Sequence, residues 1–259
     1  MALTDKITAI ADKIRYYTGE SEKMTLEGMS EKIDTLLNAF TGDRQGGQYL
    51  FYQSKSAIRF PKIDTSRFTT FYWMYARCEN AISFPEIDTS NGTNFEYMYA
   101  YTYYATEFPK ALNTSNGTTL KCMFADARSM PIAPDIDTSN NEFFNGMFRT
   151  NNKLVTIPRL NLTKATNVSE MFSGCSQLVN VTFEGEIPIS LVMSVCQKLS
   201  TDSAISAITH LKNYKGTDNE FVHTITFHAN VKNALIALGD VSPNNNTWVD
   251  YIGDLGWNC

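Results

Sequence analysis

The segments MYARCENAISFP (74–85), MYAYTYYATEFP (98–109), MFADARSMPIAP (123–134), MFRTNNKLVTIP (147–158) and MFSGCSQLVNVTF (171–183) decide the fold. Each opens on a methionine followed by an aromatic ring. The methionines Met74, Met98, Met123, Met147 and Met171 are separated by 24, 25, 24 and 24 residues. A second ladder, Pro61, Pro85, Pro109, Pro134 and Pro158, runs at 24, 24, 25 and 24. A period in the twenties marks a solenoid, in which each repeat buries its apolar face only against its neighbours. Such proteins work through extended surfaces more often than through catalysis.

Within the repeat, the residue seven places after each methionine is small or apolar: Ala81, Ala105, Met130, Leu154 and Leu178. Further apolar positions follow, such as Phe84 with Ile87 and Ile157 with Leu160, which predicts one short strand per turn with this face inward. Leu50 stands 24 residues before Met74, so YLFYQSKSAIRFP (49–61) reads as an opening half-repeat. Ten residues before each methionine comes Asp64, Asp88, Asn113, Asp137 or Asn161. These side chains suit a turn and the N-cap of a short helix running to the methionine. Each brings too few carboxylates for a dedicated calcium site. The residue after each proline alternates in sign: Lys62, Glu86, Lys110, Asp135, Arg159. On strands about 4.8 Å apart each charge would meet opposite neighbours on a solvated face.

The flanks differ. In residues 1–40, Leu3, Ile7, Ile10, Ile14 and Tyr17 form the seam of an amphipathic helix, with Gly19 as its stop. Thr25 can cap a second helix with Leu26, Met29, Ile33 and Leu36 on one face. The pair is too short for a stable coiled coil alone but long enough to dock on another subunit. Residues 41–48 read as a linker and 49–183 as the repeats. Residues 184–259 read as a cap, with helices over 187–200, 201–214 and 230–239 and a strand over 221–229.

With 43% hydrophobic and 19% charged residues the chain packs a core, and a net charge of −5 gives no nucleic-acid footprint. The N-terminus lacks a secretory h-region, and no apolar run suggests membrane insertion. Five cysteines exclude a complete intrachain disulfide framework, and all five are expected to be reduced. No phosphate-cradling loop, HExxH motif or nucleophile elbow is present. His223 and His228 would face opposite sides of a strand, so neither a metal nor a cofactor is implied. The chain therefore reads as non-enzymatic. The remaining feature is an aromatic cluster: Tyr72, Trp73, Tyr75, Tyr97, Tyr99, Tyr101, Tyr103 and Tyr104, with Tyr49 and Tyr52 before it. The candidate ligand-binding set is Tyr72, Trp73, Tyr75, Tyr99, Tyr101, Tyr103 and Tyr104, as a platform for sugars or a protein loop. Those flanking Met74 and Met98 compete for the core.

The stretch NLTKATNVSEMFSGCSQL (161–178) resembles the BspA-like leucine-rich repeats of bacterial surface proteins, in which a Met-Phe pair is followed by Cys and then Leu, here Met171, Phe172, Cys175 and Leu178. Cys78 keeps the cysteine, while Thr102, Ala127 and Asn151 replace it. The segment ITAIADKIRYYTGESEKMTLEGMSEKI (7–33) is similar to the start of phage tail-fibre and baseplate-associated proteins, through Ile10, Ala11, Ile14, Arg15, Thr18, Gly19, Met29 and Ile33. The closing Gly256-Trp257 adds to that likeness. Together these resemblances imply an α/β fold: a leucine-rich-repeat-type solenoid of period about 24, with an N-terminal helical hairpin and a C-terminal α/β cap. They imply a virion structural protein of the tail-fibre, receptor-binding type. It would attach to the particle through Leu3, Ile7, Ile10, Ile14 and Tyr17 and recognise a bacterial surface glycan or protein, with phage tail or baseplate proteins and other copies of itself as further partners. Its expected location is the virion, after assembly in the host cytoplasm. The alternative is a bacterial surface adhesin or interaction module.

Overall fold

The structure is a computed structural model that describes residues 46–259. The helical module expected over 1–40, with its attachment residues Leu3, Ile7, Ile10, Ile14 and Tyr17, lies outside the described residues, as does most of the linker.

What residues 46–178 build is a stack of turns. Around each methionine the chain folds into consecutive hydrogen-bonded turns: Met74 N–H donates to Phe71 O, Ala76 to Trp73 O, Cys78 to Tyr75 O and Ala81 to Cys78 O. The alternate N–H groups cross to the following rung. Phe71 donates to Asn94 O, Trp73 to Glu96 O, Tyr75 to Met98 O and Arg77 to Ala100 O. From Phe71 to Cys78 the N–H groups thus alternate between the turn and the neighbouring rung, with Tyr72 N–H donating to Thr70 Oγ1, which satisfies the backbone without long strands. The Asx residues do form their turns: Asp64, Asp88, Asn113, Asp137 and Asn161 each accept the N–H two residues on, at 2.8–3.1 Å.

The expected leucine-rich-repeat-type solenoid is therefore corrected. Strands are confined to three separate two-stranded parallel sheets. These are β1 (Ala111–Leu112) with β2 (Asp135–Ile136), β3 (Thr156–Asn161) with β4 (Asn180–Glu184), and β5 (Leu191–Met193) with β6 (Ile225–Phe227). The short helix expected before each methionine does not form. All three helices among the described residues come later: α1 (Thr201–Thr209), α2 (Ala229–Ala237) and α3 (Trp248–Asp254). The cause is in the backbone. Trp73, Tyr97, Cys122 and Glu170, each just before a methionine, have φ between 51° and 57°. Arg77, Tyr101, Asp126 and Thr150, three after it, lie between 59° and 64°. Two left-handed residues four positions apart in each rung end any strand or helix there and close turns in its place.

The core runs through the middle of the stack. The five methionines of the ladder are buried, and beside them Tyr75, Tyr99, Phe124, Phe148 and Phe172 lie face to face. Their centroids are 5.4, 5.6, 5.8 and 6.4 Å apart and their planes within 6°. Cys78 and Cys175 each point a thiol at the carbonyl of the ring residue one rung earlier, Phe51 O and Phe148 O, both at 3.1 Å. Asn151 makes the same bond to Phe124 O at 2.9 Å, while Thr102 turns to Tyr99 O in its own rung. That explains how donors of different size share one position. Of the alternating charges, Arg159 pairs with Asp135 at 2.6 Å, and Glu86 accepts the Lys110 backbone N–H. Exposed as they are, such pairs contribute about 0–1 kcal/mol.

The C-terminal region continues the core. Val181 and Phe183 of β4 donate N–H bonds to Ser203 Oγ and Ser206 Oγ of α1, whose N-cap is Ser200. The helix expected over 187–200 is instead β5 with flanking turns. His228 caps α2, and His223 packs against Tyr214 and Trp257.

All five cysteines are free, and only Cys259 is exposed. Burial pushes the thiols of Cys78 and Cys196 up to about 12, and that of Cys175 higher still. Between the ordinary thiol value of 9.0 and those raised values the folded chain holds protons that the unfolded chain releases. Stability is therefore whole below pH ~9 and falls as pH rises toward 12. A thiol reagent at pH 8 should modify one cysteine of the native chain promptly and all five in denaturant. Fast modification of two or more would show that the interior opens.

Candidate functional site

The two columns of left-handed residues flank a flat strip. Between them lie Ala76, Ala100 and Ala125, all fully buried, so the floor has no side chain larger than a methyl group. Over that floor pack Tyr52, Trp73, Tyr97 and Tyr101, forming a small apolar cluster with Cys122, separate from the main core. Trp73 stacks on Tyr97 with centroids 4.5 Å apart and planes at 26°. Tyr52 meets Trp73 edge-on at 5.4 Å, and Tyr49 meets Tyr72 edge-on at the same distance. The result is a continuous aromatic strip across the first three rungs, whose rings are half-buried except Tyr49, which is exposed.

Cations border it. The Arg77 guanidinium sits 5.1 Å from the Tyr101 ring, and Lys121 Nζ sits 5.7 Å from the Tyr97 ring while pairing with Glu96 at 2.6 Å. Burial, with the Cys122 thiol beside it, pushes the Tyr97 hydroxyl well above the ordinary phenol value, so it stays a neutral donor. The indole N–H of Trp73 and the Nε–H of Arg77 are covered and have no acceptor. Leaving a covered donor unmade costs about 1–3 kcal/mol, and core groups such as Tyr75 Oη and Tyr99 Oη carry the same cost.

Among the sequence-predicted binding residues, Tyr72, Trp73 and Tyr101 lie on this strip. Tyr103 is half-buried under Arg128, whose guanidinium is 4.6 Å from its ring. Tyr104 is exposed on a different side, in a groove with Ile58, Asn80 and Ile82. Tyr75 and Tyr99 are corrected: both are fully buried in the ring column of the core, so neither can meet a ligand. In a strand they would point away from Met74 and Met98; the turns send both members of each pair inward. The strip also uses Tyr49, Tyr52 and Tyr97, which belonged to the aromatic cluster but not to the predicted binding set. Arg77 and Lys121 were missed, although each stands at a fixed distance from a methionine, like Tyr101 and Tyr72. Among the described residues, no group of three or more His, Cys, Asp or Glu side chains is placed to hold a metal ion, and no helix is long and apolar enough to cross a membrane.

Residues 69–183 are similar to a family described as Mycoplasma protein of unknown function, DUF285. The match covers less than half of the chain. No curated protein and no solved structure matches it. These findings overturn the expected kinship with phage tail-fibre proteins and BspA-like leucine-rich repeats. With it goes the expectation of a virion protein, or a surface adhesin, that presents its repeats to a bacterial cell. What the chain shares with other proteins lies in the turn stack, which contains most of the aromatic strip.

Proposed function

We propose that this chain is a non-catalytic binding protein whose ligand is a carbohydrate held on the strip of Tyr52, Trp73, Tyr97 and Tyr101. The observation that carries this is the stacked, half-buried Trp73–Tyr97 pair over an alanine floor. Aromatic faces take the C–H faces of sugar rings, while phenol hydroxyls and the Arg77 and Lys121 donors reach sugar oxygens at the rim. Catalysis is not part of the proposal: Glu96, the carboxylate nearest the strip's rings in sequence, is engaged by Lys121.

The test is calorimetric titration of the full chain with a panel of neutral and acidic oligosaccharides, repeated for Tyr101→Ala and Tyr104→Ala. Losing the Tyr101 ring should weaken binding by about 0.5–1.5 kcal/mol, with no change for Tyr104→Ala. Absence of saturable binding to every sugar, or equal losses in both variants, would remove this function.

A further inference from the structure

The aromatic strip ends abruptly, and its end has a shape. Just before successive methionines stand Trp73, Tyr97, Cys122, Gly146 and Glu170, one above another. The first two are rings, stacked on each other. The next two are a thiol and a glycine. The space that further rings would fill is left as a cleft of about 210 Å³ between Tyr97 and Glu170. Gly146 keeps it open at the back: a Cβ there would come within 2.9 Å of Cys122 Sγ. Pockets for drug-sized ligands run to about 300–1,000 Å³, so this cleft suits one ring and not a chain.

Its walls are chemically unequal. Its lining holds the half-buried Tyr97 ring, with Lys121 Nζ 5.7 Å from the ring centroid, together with Arg149. Lys121 is committed to Glu96 at 2.6 Å. Arg149 is held far more loosely, by one 3.3 Å contact from Nη1 to Glu170 Oε2. Glu170 is itself 63% exposed, and among the described residues the other donors of the guanidinium fork have no acceptor. An Arg fork beside a cleft, with donors to spare, matches a planar carboxylate in two-point contact. The Tyr97 ring in the same lining matches the face of a sugar ring.

We propose that this cleft binds a single hexuronic acid residue, its carboxylate on Arg149 and its ring against Tyr97. It would form the acidic end of a saccharide lying along the strip, and so rests on the carbohydrate-binding function. Glu170 competes with the ligand's carboxylate for Arg149 and moves aside when the sugar enters.

The experiment titrates the full chain with glucuronic acid, its neutral methyl ester, glucose and acetate, by calorimetry or ligand-observed NMR. Glucuronic acid should bind about tenfold more tightly than the ester or glucose, the ratio expected for one charge-assisted contact. Arg149→Gln should abolish that preference and leave binding of neutral oligosaccharides to the strip intact. Glu170→Gln should tighten glucuronic acid several-fold, a gain that a merely structural role could not produce. If Arg149→Gln fails to fold, Glu170→Gln and the salt dependence of wild-type binding still decide the matter. Equal affinity for glucuronic acid and glucose would overturn the cleft while leaving the strip. Acetate binding as tightly as glucuronic acid would overturn the sugar ring's part. No binding of any sugar, oligosaccharides included, would overturn both.

Discussion

Phe124→Ala is expected to lower the unfolding free energy by about 3–5 kcal/mol, the usual cost of deleting a fully buried ring. Phe124 is the middle member of the ring column, 5.6 Å from Tyr99 and 5.8 Å from Phe148, with Phe108 edge-on at 5.9 Å. Its removal leaves a gap between rungs that the backbone cannot close, because the same rungs are fixed by the Cys122–Asn145, Phe124–Met147 and Asp126–Arg149 backbone bonds. Phe124→Leu keeps most of the volume and should cost about 1.5 kcal/mol or less. Urea titration followed by circular dichroism measures both. A loss below about 1 kcal/mol for the alanine variant, against the range for a large buried side chain, would mean that the column is not what holds the rungs together.

The second large effect is expected at the other end. Trp257 is 2% exposed, its Nε1–H donates to Lys212 O at 2.7 Å, and its ring lies against Tyr214 and His223. Trp257→Ala removes the packing and also leaves a carbonyl without its donor, for a cost of about 4 kcal/mol or more. Trp257→Phe retains much of the packing and loses the hydrogen bond, so it should cost about 1–3 kcal/mol. The pattern of unfolding is as informative as the size. The Val181–Ser203 and Phe183–Ser206 bonds tie β4 to α1. One transition in Trp257→Ala would show that this tie makes the chain cooperative. Two transitions would show that the C-terminal region melts alone. Neither variant touches the aromatic strip, so sugar binding below the transition should be retained.

The correction of the fold has a compact physical origin. Periodicity in a sequence reports which positions face inward in each repeat, and here Met74, Ala81 and Phe84 are buried with their counterparts, Phe108 only partly. It does not report the backbone path between them. Spacings such as Met74, Cys78 and Ala81 suit a strand-and-helix repeat and a run of turns equally well. The deciding feature is positive φ at residues such as Trp73, Tyr97 and Tyr101, bulky types that rarely adopt it and so give no warning. Glycine stands in the same columns only at Gly146 and Gly174. Among the C-terminal elements, α1 and α2 fall within or beside the helices expected over 201–214 and 230–239, while α3 and the caps Ser200, His228 and Thr247 came from the structure.

The site divides in the same way. The crowd of aromatic residues between Tyr49 and Tyr104 was plain, and so was the competition between core and surface. Which ring went where depended on the turns, since adjacent residues such as Met74 and Tyr75 both point inward while Tyr72 and Trp73 both point out.

By itself, the sequence determined the spacing of the repeated residues, the buried methionine and small-residue columns and the Asx turns. Each of these follows from the type and spacing of single residues. The tertiary structure alone decided that turns replace strands and helices, that Tyr75 and Tyr99 belong to the core, and that Trp73, Tyr97, Arg77 and Lys121 share one strip. Those outcomes depend on hydrogen bonds between rungs, and such bonds join residues whose pairing no local pattern states.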